Sequence, residues 1–217
     1  MPLQAAQDCV VLLHGWARLS NNMAEMAEKL QRAGFLVSNI SYPSMRLPIR
    51  ALAVDAIDRG LADCRQQSPA RIHFVAHSLG GILVRAYLQE NRVDELGVVV
   101  MLGTPNQGVQ LVDRLSFLPG FGLLGPASQE LASDELVTEL PPVSFDTAVI
   151  AGDRSINPLS LFLIAGPDDG VVSVASTRVE GMSAHLVLPA IHQTMPRNNR
   201  IIDHVIHYLK TGAFIPE

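Results

Sequence analysis

A serine between a buried strand and a helix is the residue best placed to do chemistry in this sequence. Residues 71–81 read RIHFVAHSLGG, so an alternating, largely apolar strand runs directly into Ser78 and a helical run follows. Such a tight turn needs small residues two before and two after the serine, and Ala76 and Gly80 stand there. The turn pushes the hydroxyl out of the sheet and aims the helix N-terminus at developing negative charge. Ser78 is therefore the candidate nucleophile, the alternative being an ordinary strand–loop–helix turn.

Three further segments join apolar strands to loops with polar or small residues. Residues 9–16 read CVVLLHGW, an apolar strand that ends in His-Gly. The apolar run 161–165 leads into GPDDGVV, in which Asp168 and Asp169 are adjacent. A later short apolar strand leads to a loop with His192, and a C-terminal helix follows. The chain therefore carries a serine, an aspartate and a histidine in that order.

These four segments together resemble the α/β-hydrolase superfamily, and within it the small bacterial lipases and esterases. Ala76 replaces the first glycine of the usual G-x-S-x-G motif, as it does in some small lipases of the superfamily. The resemblance covers nearly the whole chain and implies a catalytic triad of Ser78, Asp169 and His192. Asp169 is favoured because the letters DGVV resemble the acid motif of the family, and Asp168 stays open as the alternative.

The resemblance also implies an oxyanion hole. Its two donors would be the backbone N–H groups of Trp16 and Leu79, and losing one such donor typically costs about a hundred- to a thousandfold in rate. The Trp16 side chain is also expected to line the substrate pocket. We expect His14 to bond the loop backbone and to take no part in the chemistry.

Other histidines are alternatives for the base or have structural roles. His185 stands at the start of the last strand. His204 and His207 are three residues apart on the final helix, but without a carboxylate or cysteine partner they make a weak metal site, and a surface helix face is the preferred interpretation. We therefore expect no bound metal. His73 and His77 are expected to be packing or scaffold residues of the strand before the nucleophile.

A region from about 104 to 143 is expected to cap the site. It begins in the turn GTPNQG, which is similar to a turn of lipases in this superfamily. Residues 115–126 then read LSFLPGFGLLGP, an apolar stretch that glycine and proline break too often for a regular helix. We expect Phe117, Leu118 and Phe121 to form a wall for an acyl chain; the alternative is a loop that simply packs onto the core.

Composition narrows the class of protein. The 217 residues fit one domain, 1–217, and the 48% of hydrophobic residues supply an ample core. A net charge of −5 argues against nucleic-acid binding. The N-terminus lacks the features of a signal peptide, and no apolar run near it could cross a membrane, so the chain is expected to be cytoplasmic if it is the full native product. Cys9 and Cys64 are expected to be free thiols.

Alternating strand-like and helix-like segments predict an α/β fold, a mostly parallel sheet with helices on both faces. The resemblance makes this a minimal α/β-hydrolase fold, without the usual first two antiparallel strands. Ligands of such sheets bind at the carboxyl ends of the strands, where all four segments would meet. Besides the strand before Ser78 and the helix after it, strands are predicted near 9–13, 35–41, 97–102, 145–151, 160–165 and 185–189, and helices near 21–33, 48–67, 128–138 and 197–210.

The expected function is that of a serine hydrolase which cleaves carboxylic esters through an acyl-enzyme. The expected partner is a small-molecule acyl ester or a lipid, with no metal or organic cofactor. The same triad would also serve a thioesterase, an amidase or an acyltransferase. A non-catalytic binding protein on this scaffold is a further alternative, and the sequence does not indicate an oligomeric state.

Overall fold

A computed structural model describes residues 7–110, 125–132, 137 and 139–216, and in these residues six strands alternate with helices. The strands are β1 (Cys9–Leu13), β2 (Leu36–Ile40), β3 (Ile72–His77), β4 (Leu96–Leu102), β5 (Thr147–Gly152) and β6 (Ala184–Leu188). The helices are α1 (Ala24–Arg32), α2 (Ile49–Arg65), α3 (Leu79–Glu90), α4 (Pro126–Ala132), α5 (Ser160–Leu163) and α6 (Asn199–Thr211), and short 3-10 helices lie at Ser20–Met23 and His192–Arg197.

The six strands form one parallel sheet in the order β2-β1-β3-β4-β5-β6. The chain passes from β1 to one side of the sheet and then returns to continue on the other side, so the order reverses between β1 and β3. Crevices at such a reversal, outside the carboxyl ends of the strands, are where open α/β sheets bind ligands. The predicted fold class is confirmed, and the segments that follow β1 and β3 are placed at this crevice.

The centre of the sheet is buried on both faces, and β1 is apolar at every position. In β1, Val11 and Leu13 pack with residues of α2 and α3 on one face. Val10 and Leu12 pack with residues of α1 and α6 on the other face. All four side chains are fully buried, as expected for a parallel strand covered by helices on both sides. This two-sided packing makes the sheet a rigid base for the loops at its carboxyl edge.

The prediction of a strand near 160–165 is wrong, because the structure has the short helix α5 there. The side-chain oxygen of Asn157 accepts the Leu159 N–H at 3.1 Å, and its backbone carbonyl accepts the Ser160 hydroxyl at 2.9 Å. Such local side-chain bonds favour a helical turn over an extended strand. A short apolar run does not by itself distinguish the two, which is why the sequence misled. The segment with Asp168 and Asp169 therefore belongs to a long connection between β5 and β6.

The expectation of free thiols is also wrong, because Cys9 on β1 and Cys64 on α2 form a disulfide. Their Cα atoms are 5.8 Å apart, and both residues are fully buried. The two cysteines meet only because α2 packs against β1, a contact that their separation of 55 residues does not reveal. Disulfides are typical of oxidising compartments, so this bond counts against the cytoplasmic location expected from the sequence.

No helix among the described residues has both the length and the apolar character that crossing a bilayer requires.

Replacing Cys9 and Cys64 together by alanine should lower the free energy of unfolding by about 2–4 kcal/mol, because the disulfide restricts the unfolded chain across 55 residues. Urea denaturation of the two proteins followed by circular dichroism would measure the difference. As a control, thiol titration of the unfolded wild type should detect no free thiol. Detection of both cysteines as thiols would contradict the disulfide.

Candidate active site

Ser78 lies in a strained turn between β3 and α3. Its φ of 54° and ψ of −121° put a residue with a side chain in the positive-φ region that glycine normally occupies. The Ser78 N–H donates to the Leu102 carbonyl at 2.9 Å, and the Ser78 carbonyl accepts the Gly81 N–H at 3.0 Å. Strain of this kind persists where surrounding bonds enforce it and is common at functional sites.

Two glycines after the serine allow α3 to approach the neighbouring backbone. A Cβ atom added to Gly80 would lie 2.7 Å from the carbonyl oxygen of Leu13, at the end of β1. A Cβ atom added to Gly81 would collide with the side chain of Thr104. The small residue predicted at position 80 therefore has a specific cause: the first turn of α3 presses against β1.

The structure brings the three predicted triad side chains into one hydrogen-bonded chain. His192 Nε2 lies 3.0 Å from Ser78 Oγ, and His192 Nδ1 lies 2.7 Å from Asp169 Oδ2. Since a carboxylate accepts only, Nδ1 carries the proton and Nε2 is left to accept from the serine hydroxyl. Asp169 is fully buried and His192 nearly so. This arrangement can remove a proton from the Ser78 hydroxyl.

The Asp169 carboxylate is held in place by the loop that carries it. Its Oδ1 accepts the N–H groups of Val171 at 3.0 Å and Val172 at 2.8 Å, while its Oδ2 faces His192. The Asp169 backbone carbonyl also accepts the His192 N–H at 2.9 Å. The acid and the base are thus joined through both main chain and side chain, which fixes the orientation of the imidazole ring.

Asp168, the alternative acid, has a different environment. Its Oδ1 accepts the Gly170 N–H at 2.7 Å, so its carboxylate closes the turn in which Gly170 has a φ of +97°. Among the described residues, the Asp168 carboxylate contacts this turn and not His192. The geometry therefore favours Asp169 over Asp168 as the partner of the histidine.

The predicted oxyanion donors lie on the two loops that leave adjacent strands. Leu13 of β1 pairs with Ala76 of β3, so Trp16 and Leu79 follow neighbouring strand ends. Leu79 is the first residue of α3, and N–H groups in the first turn of a helix have no intrahelical acceptor. Trp16 lines the same pocket as Ser78. The role of these two N–H groups as donors to an oxyanion stays a prediction.

His14 bonds the loop backbone, as expected from the sequence. Its Nδ1 lies 2.8 Å from the Gly15 carbonyl, and its Nε2 accepts the Tyr42 N–H at 3.3 Å. The His14 and Tyr42 rings stack with centroids 4.0 Å apart, and the Tyr42 hydroxyl donates to the His14 carbonyl. Burial lowers the pKa of His14 and so favours the neutral ring that this pair of bonds requires. His14 thereby holds the loop that presents Trp16.

His77 connects the strand of the serine to the loop of the histidine. Its Nε2 lies 2.9 Å from the His192 backbone carbonyl, so Nε2–H donates, and the two ring centroids are 4.8 Å apart. Burial, followed by the proximity of His192, lowers the pKa of His77 well below its ordinary value and keeps the ring neutral. Sequence reasoning assigned His77 to the scaffold and missed this contact; its position next to Ser78 was the available signal.

The other candidate bases have separate contacts. His185 lies on β6, and its Nε2 is 2.9 Å from Thr177 Oγ1. His204 and His207 lie on α6, and His204 is buried with its ring 5.9 Å from that of Phe214. The predicted surface position of His204 is therefore wrong, because residues after α6 fold back over it. In the described part of the chain, no three His, Cys, Asp or Glu side chains group closely enough to hold a metal ion.

A concave pocket of about 290 Å³ opens onto Ser78 and His192. Mostly apolar clefts with a few convergent polar groups are typical ligand sites. The predicted wall residues Phe117, Leu118 and Phe121 lie outside the described residues, whereas Trp16 lines the pocket as predicted. The described walls are mainly apolar, formed by Trp16, Pro105, Val109, Leu131, Val171 and Val172, with Arg18, Ser128 and Gln193 as polar members.

The fold and this site define the class to which the protein belongs. The chain is a member of the alpha/beta hydrolase family, whose sequence profile matches residues 10–203. No curated protein matches the chain in a sequence comparison.

Solved structures give the same fold at low sequence identity. The propeptide form of the lipase BlEst2 from Bacillus licheniformis is similar with a TM-score of 0.82 and 20% identity, covering 99% of this chain and 52% of that one. The present chain thus spans about half the length of that form. The mature form of the same lipase is similar with a TM-score of 0.74 and 19% identity, covering 90% of this chain and 89% of that one. The esterase EaEST from Exiguobacterium antarcticum is similar with a TM-score of 0.69 and 15% identity, covering 96% of this chain and 94% of that one.

Acidification should destabilise the protein through its buried neutral histidines. The pKa values of His14 and His77 are lowered by burial, whereas in the unfolded chain both would titrate near 6.5. Below that pH the unfolded state binds more protons than the folded state, so the free energy of unfolding should fall by up to about 1.4 kcal/mol per pH unit for each ring. Urea denaturation between pH 7.5 and pH 5 would measure the slope. A His77→Gln variant should show a smaller slope; an unchanged slope would contradict the assignment.

Replacing His77 by leucine should slow the reaction of Ser78 with a fluorophosphonate probe by about a hundredfold, because the loop of His192 loses its anchor and a displacement of about 1 Å has effects of this size. Glutamine can still donate to the His192 carbonyl, so His77→Gln should retain more reactivity than His77→Leu. Labelling rates would be measured at temperatures at which circular dichroism shows both variants folded. Equal rates for leucine and wild type would exclude the positioning role.

Proposed function

We propose that the protein is a serine hydrolase that cleaves carboxylic esters through an acyl-enzyme. The observation that carries this proposal is the continuous chain of hydrogen bonds from Ser78 Oγ through the His192 ring to Asp169 Oδ2, at an apolar pocket. A nucleophile, a base and a residue that orients the base, all within hydrogen-bond reach, are the geometric signature of nucleophilic catalysis.

The reaction proceeds in two halves. Ser78 attacks the acyl carbon while His192 Nε2 takes the hydroxyl proton and then gives it to the departing alcohol oxygen. Asp169 holds the required tautomer and stabilises the imidazolium that forms. The Trp16 and Leu79 N–H groups stabilise the oxyanion of the tetrahedral intermediate. Water then attacks the acyl-enzyme by the same route, which releases the carboxylic acid and restores Ser78.

The apolar walls of the pocket favour esters with an apolar acyl chain. Its described walls are largely apolar, and the cap-like region 104–143 contributes Pro105, Val109, Ser128 and Leu131 to them. This contribution supports the proposal that region 104–143 covers the site. We treat the region as part of one domain, 1–217. The similar structures are described as lipases and an esterase, which agrees with this substrate class without establishing it for the present chain.

Other reactions on the same triad are the alternatives. A thioesterase or an amidase differs only in the leaving group, and an acyltransferase differs in using an alcohol where a hydrolase uses water. A panel of octanoyl oxyester, thioester and amide substrates would rank them by kcat/KM. A non-catalytic binding protein would not need the hydrogen bonds among Ser78, His192 and Asp169, so their presence disfavours that alternative.

Replacing Ser78 by alanine should abolish both the hydrolysis of p-nitrophenyl octanoate and the labelling by a fluorophosphonate probe, because the nucleophile is removed. The initial rate of p-nitrophenol release and in-gel fluorescence would be measured on wild type and variant side by side. Equal labelling of the two proteins would refute the proposed nucleophile.

The two adjacent aspartates provide a matched pair of variants. Asp169→Asn should lower kcat by about ten-thousandfold, because an amide in place of the carboxylate favours the wrong tautomer of His192. Asp168→Asn should leave most of the activity, because an amide oxygen can still accept the Gly170 N–H. The two kcat values would be compared by steady-state kinetics with p-nitrophenyl octanoate. The reverse ranking would assign the acid to Asp168.

A further inference from the structure

Arg18 adds a permanent positive charge to the otherwise apolar mouth of the pocket. It lines the cavity that contains Ser78 and His192, and it is the one Arg or Lys in the described lining. The Arg18 side chain is exposed, so its guanidinium is accessible to a ligand. A cation beside apolar walls suits a ligand with a charged end and an apolar body.

Arg18, like Arg46 and Arg71, has no acidic partner among the described residues. Among the described residues it forms no ion pair, whereas several other arginines each contact a carboxylate. The paired arginines are Arg32 with Glu28, Arg50 with Glu90, Arg59 with Asp55, Arg65 with Glu95, Arg92 with Asp94 and Arg154 with Asp153. The charge at the pocket mouth is therefore not neutralised within the described part of the chain.

The backbone before Arg18 is fixed in an unusual conformation. Ala17 has a φ of +52°, a region that is unfavourable for a residue with a Cβ atom. The Ala17 N–H donates to the hydroxyl of the buried Ser44 at 3.0 Å, which holds this conformation. Backbone strain of this kind is concentrated at functional sites and ligand clamps. The loop that presents Trp16 to the site therefore also presents Arg18.

The positive charge of Arg18 acts on His77, the neighbour of Ser78. After burial and the proximity of His192, the positive charge of Arg18 is a further cause of the lowered pKa of His77, which lies beside Ser78. The pocket mouth thus combines one cationic side chain with mainly apolar walls.

We propose that Arg18 binds an anionic group of the substrate, so that the pocket selects acyl esters that carry a carboxylate or a phosphate. A guanidinium binds both groups through paired, charge-assisted hydrogen bonds, whereas the apolar walls hold the hydrocarbon part. The effect on catalysis rests on the proposed hydrolase function, but the effect on binding does not.

A binding experiment tests the anion site independently of turnover. Trp16 is the single tryptophan of the chain and lies in the pocket, so its fluorescence reports binding in the Ser78→Ala variant. Octanoate, octyl phosphate and 1-octanol would be titrated as probes with equal alkyl chains. We expect at least one anion to bind about tenfold more tightly than octanol, the range typical of a hydrogen bond to a charged group. The two anions show whether carboxylate or phosphate is preferred.

A second substitution, Arg18→Gln, should remove this preference and leave octanol binding unchanged. Arg18→Lys should retain part of it, because lysine keeps the charge but not the paired geometry. Arg92→Gln is the matched control, since it removes the same charge at the far end of α3 from Ser78. The proposal would be overturned if anions bound equally well with and without the Arg18→Gln substitution. It would also be overturned if Arg92→Gln weakened anion binding as much as Arg18→Gln does.

A kinetic experiment connects the anion site to catalysis. The substrates would be 4-(octanoyloxy)benzoate and its methyl ester, which differ in one negative charge. Arg18→Gln should lower kcat/KM for the benzoate about tenfold and leave the methyl ester nearly unchanged, and the wild-type preference should decline as salt screens the charge. Hydrolysis of both esters with no effect of Arg18→Gln would overturn the anion site alone. An anion preference in binding without hydrolysis of either ester would overturn the hydrolase function alone.

Discussion

The buried carboxylate of Asp169 is the feature on which the rest of the site depends. A fully buried charge is unfavourable unless hydrogen bonds compensate for its lost hydration. Two backbone N–H groups, from Val171 and Val172, bind one oxygen, and the His192 ring binds the other. The same bonds that make the burial tolerable therefore fix the acid loop and the imidazole ring. The stability of this loop and the proposed reactivity of Ser78 therefore have one physical origin.

The parallel sheet explains why such distant segments meet at one point. Because all six strands are parallel, their carboxyl ends lie at the same edge, and the reversal of strand order between β1 and β3 opens a crevice there. Ser78 follows β3 and Trp16 follows β1, while Asp169 and His192 follow β5 and β6. His77 and His14 then anchor two of these loops by hydrogen bonds that do not involve substrate.

The sequence predicted the parallel sheet from local patterns, and the residues that meet at its edge from the resemblance to the α/β-hydrolase superfamily. Apolar runs of strand length, small residues around Ser78 and the order of serine, aspartate and histidine are readable without coordinates. The disulfide between Cys9 and Cys64 was missed because it depends on how α2 packs on β1. The helix α5 was missed because the side chain of Asn157, and not the apolar run, decides the local conformation.

Neutral and charged side chains occupy different parts of the site. Burial lowers the pKa values of His14 and His77, so these rings remain neutral beside His192, which becomes positively charged in the proposed reaction. A second buried cation next to His192 would oppose that charge, since like charges in a poorly hydrated site repel strongly. Arg18 stands instead at the exposed mouth, where water reduces its repulsion of the imidazolium and leaves its guanidinium accessible. The neutral histidines thus lie near His192, and the permanently charged Arg18 can bind an anionic group at the entrance of the pocket.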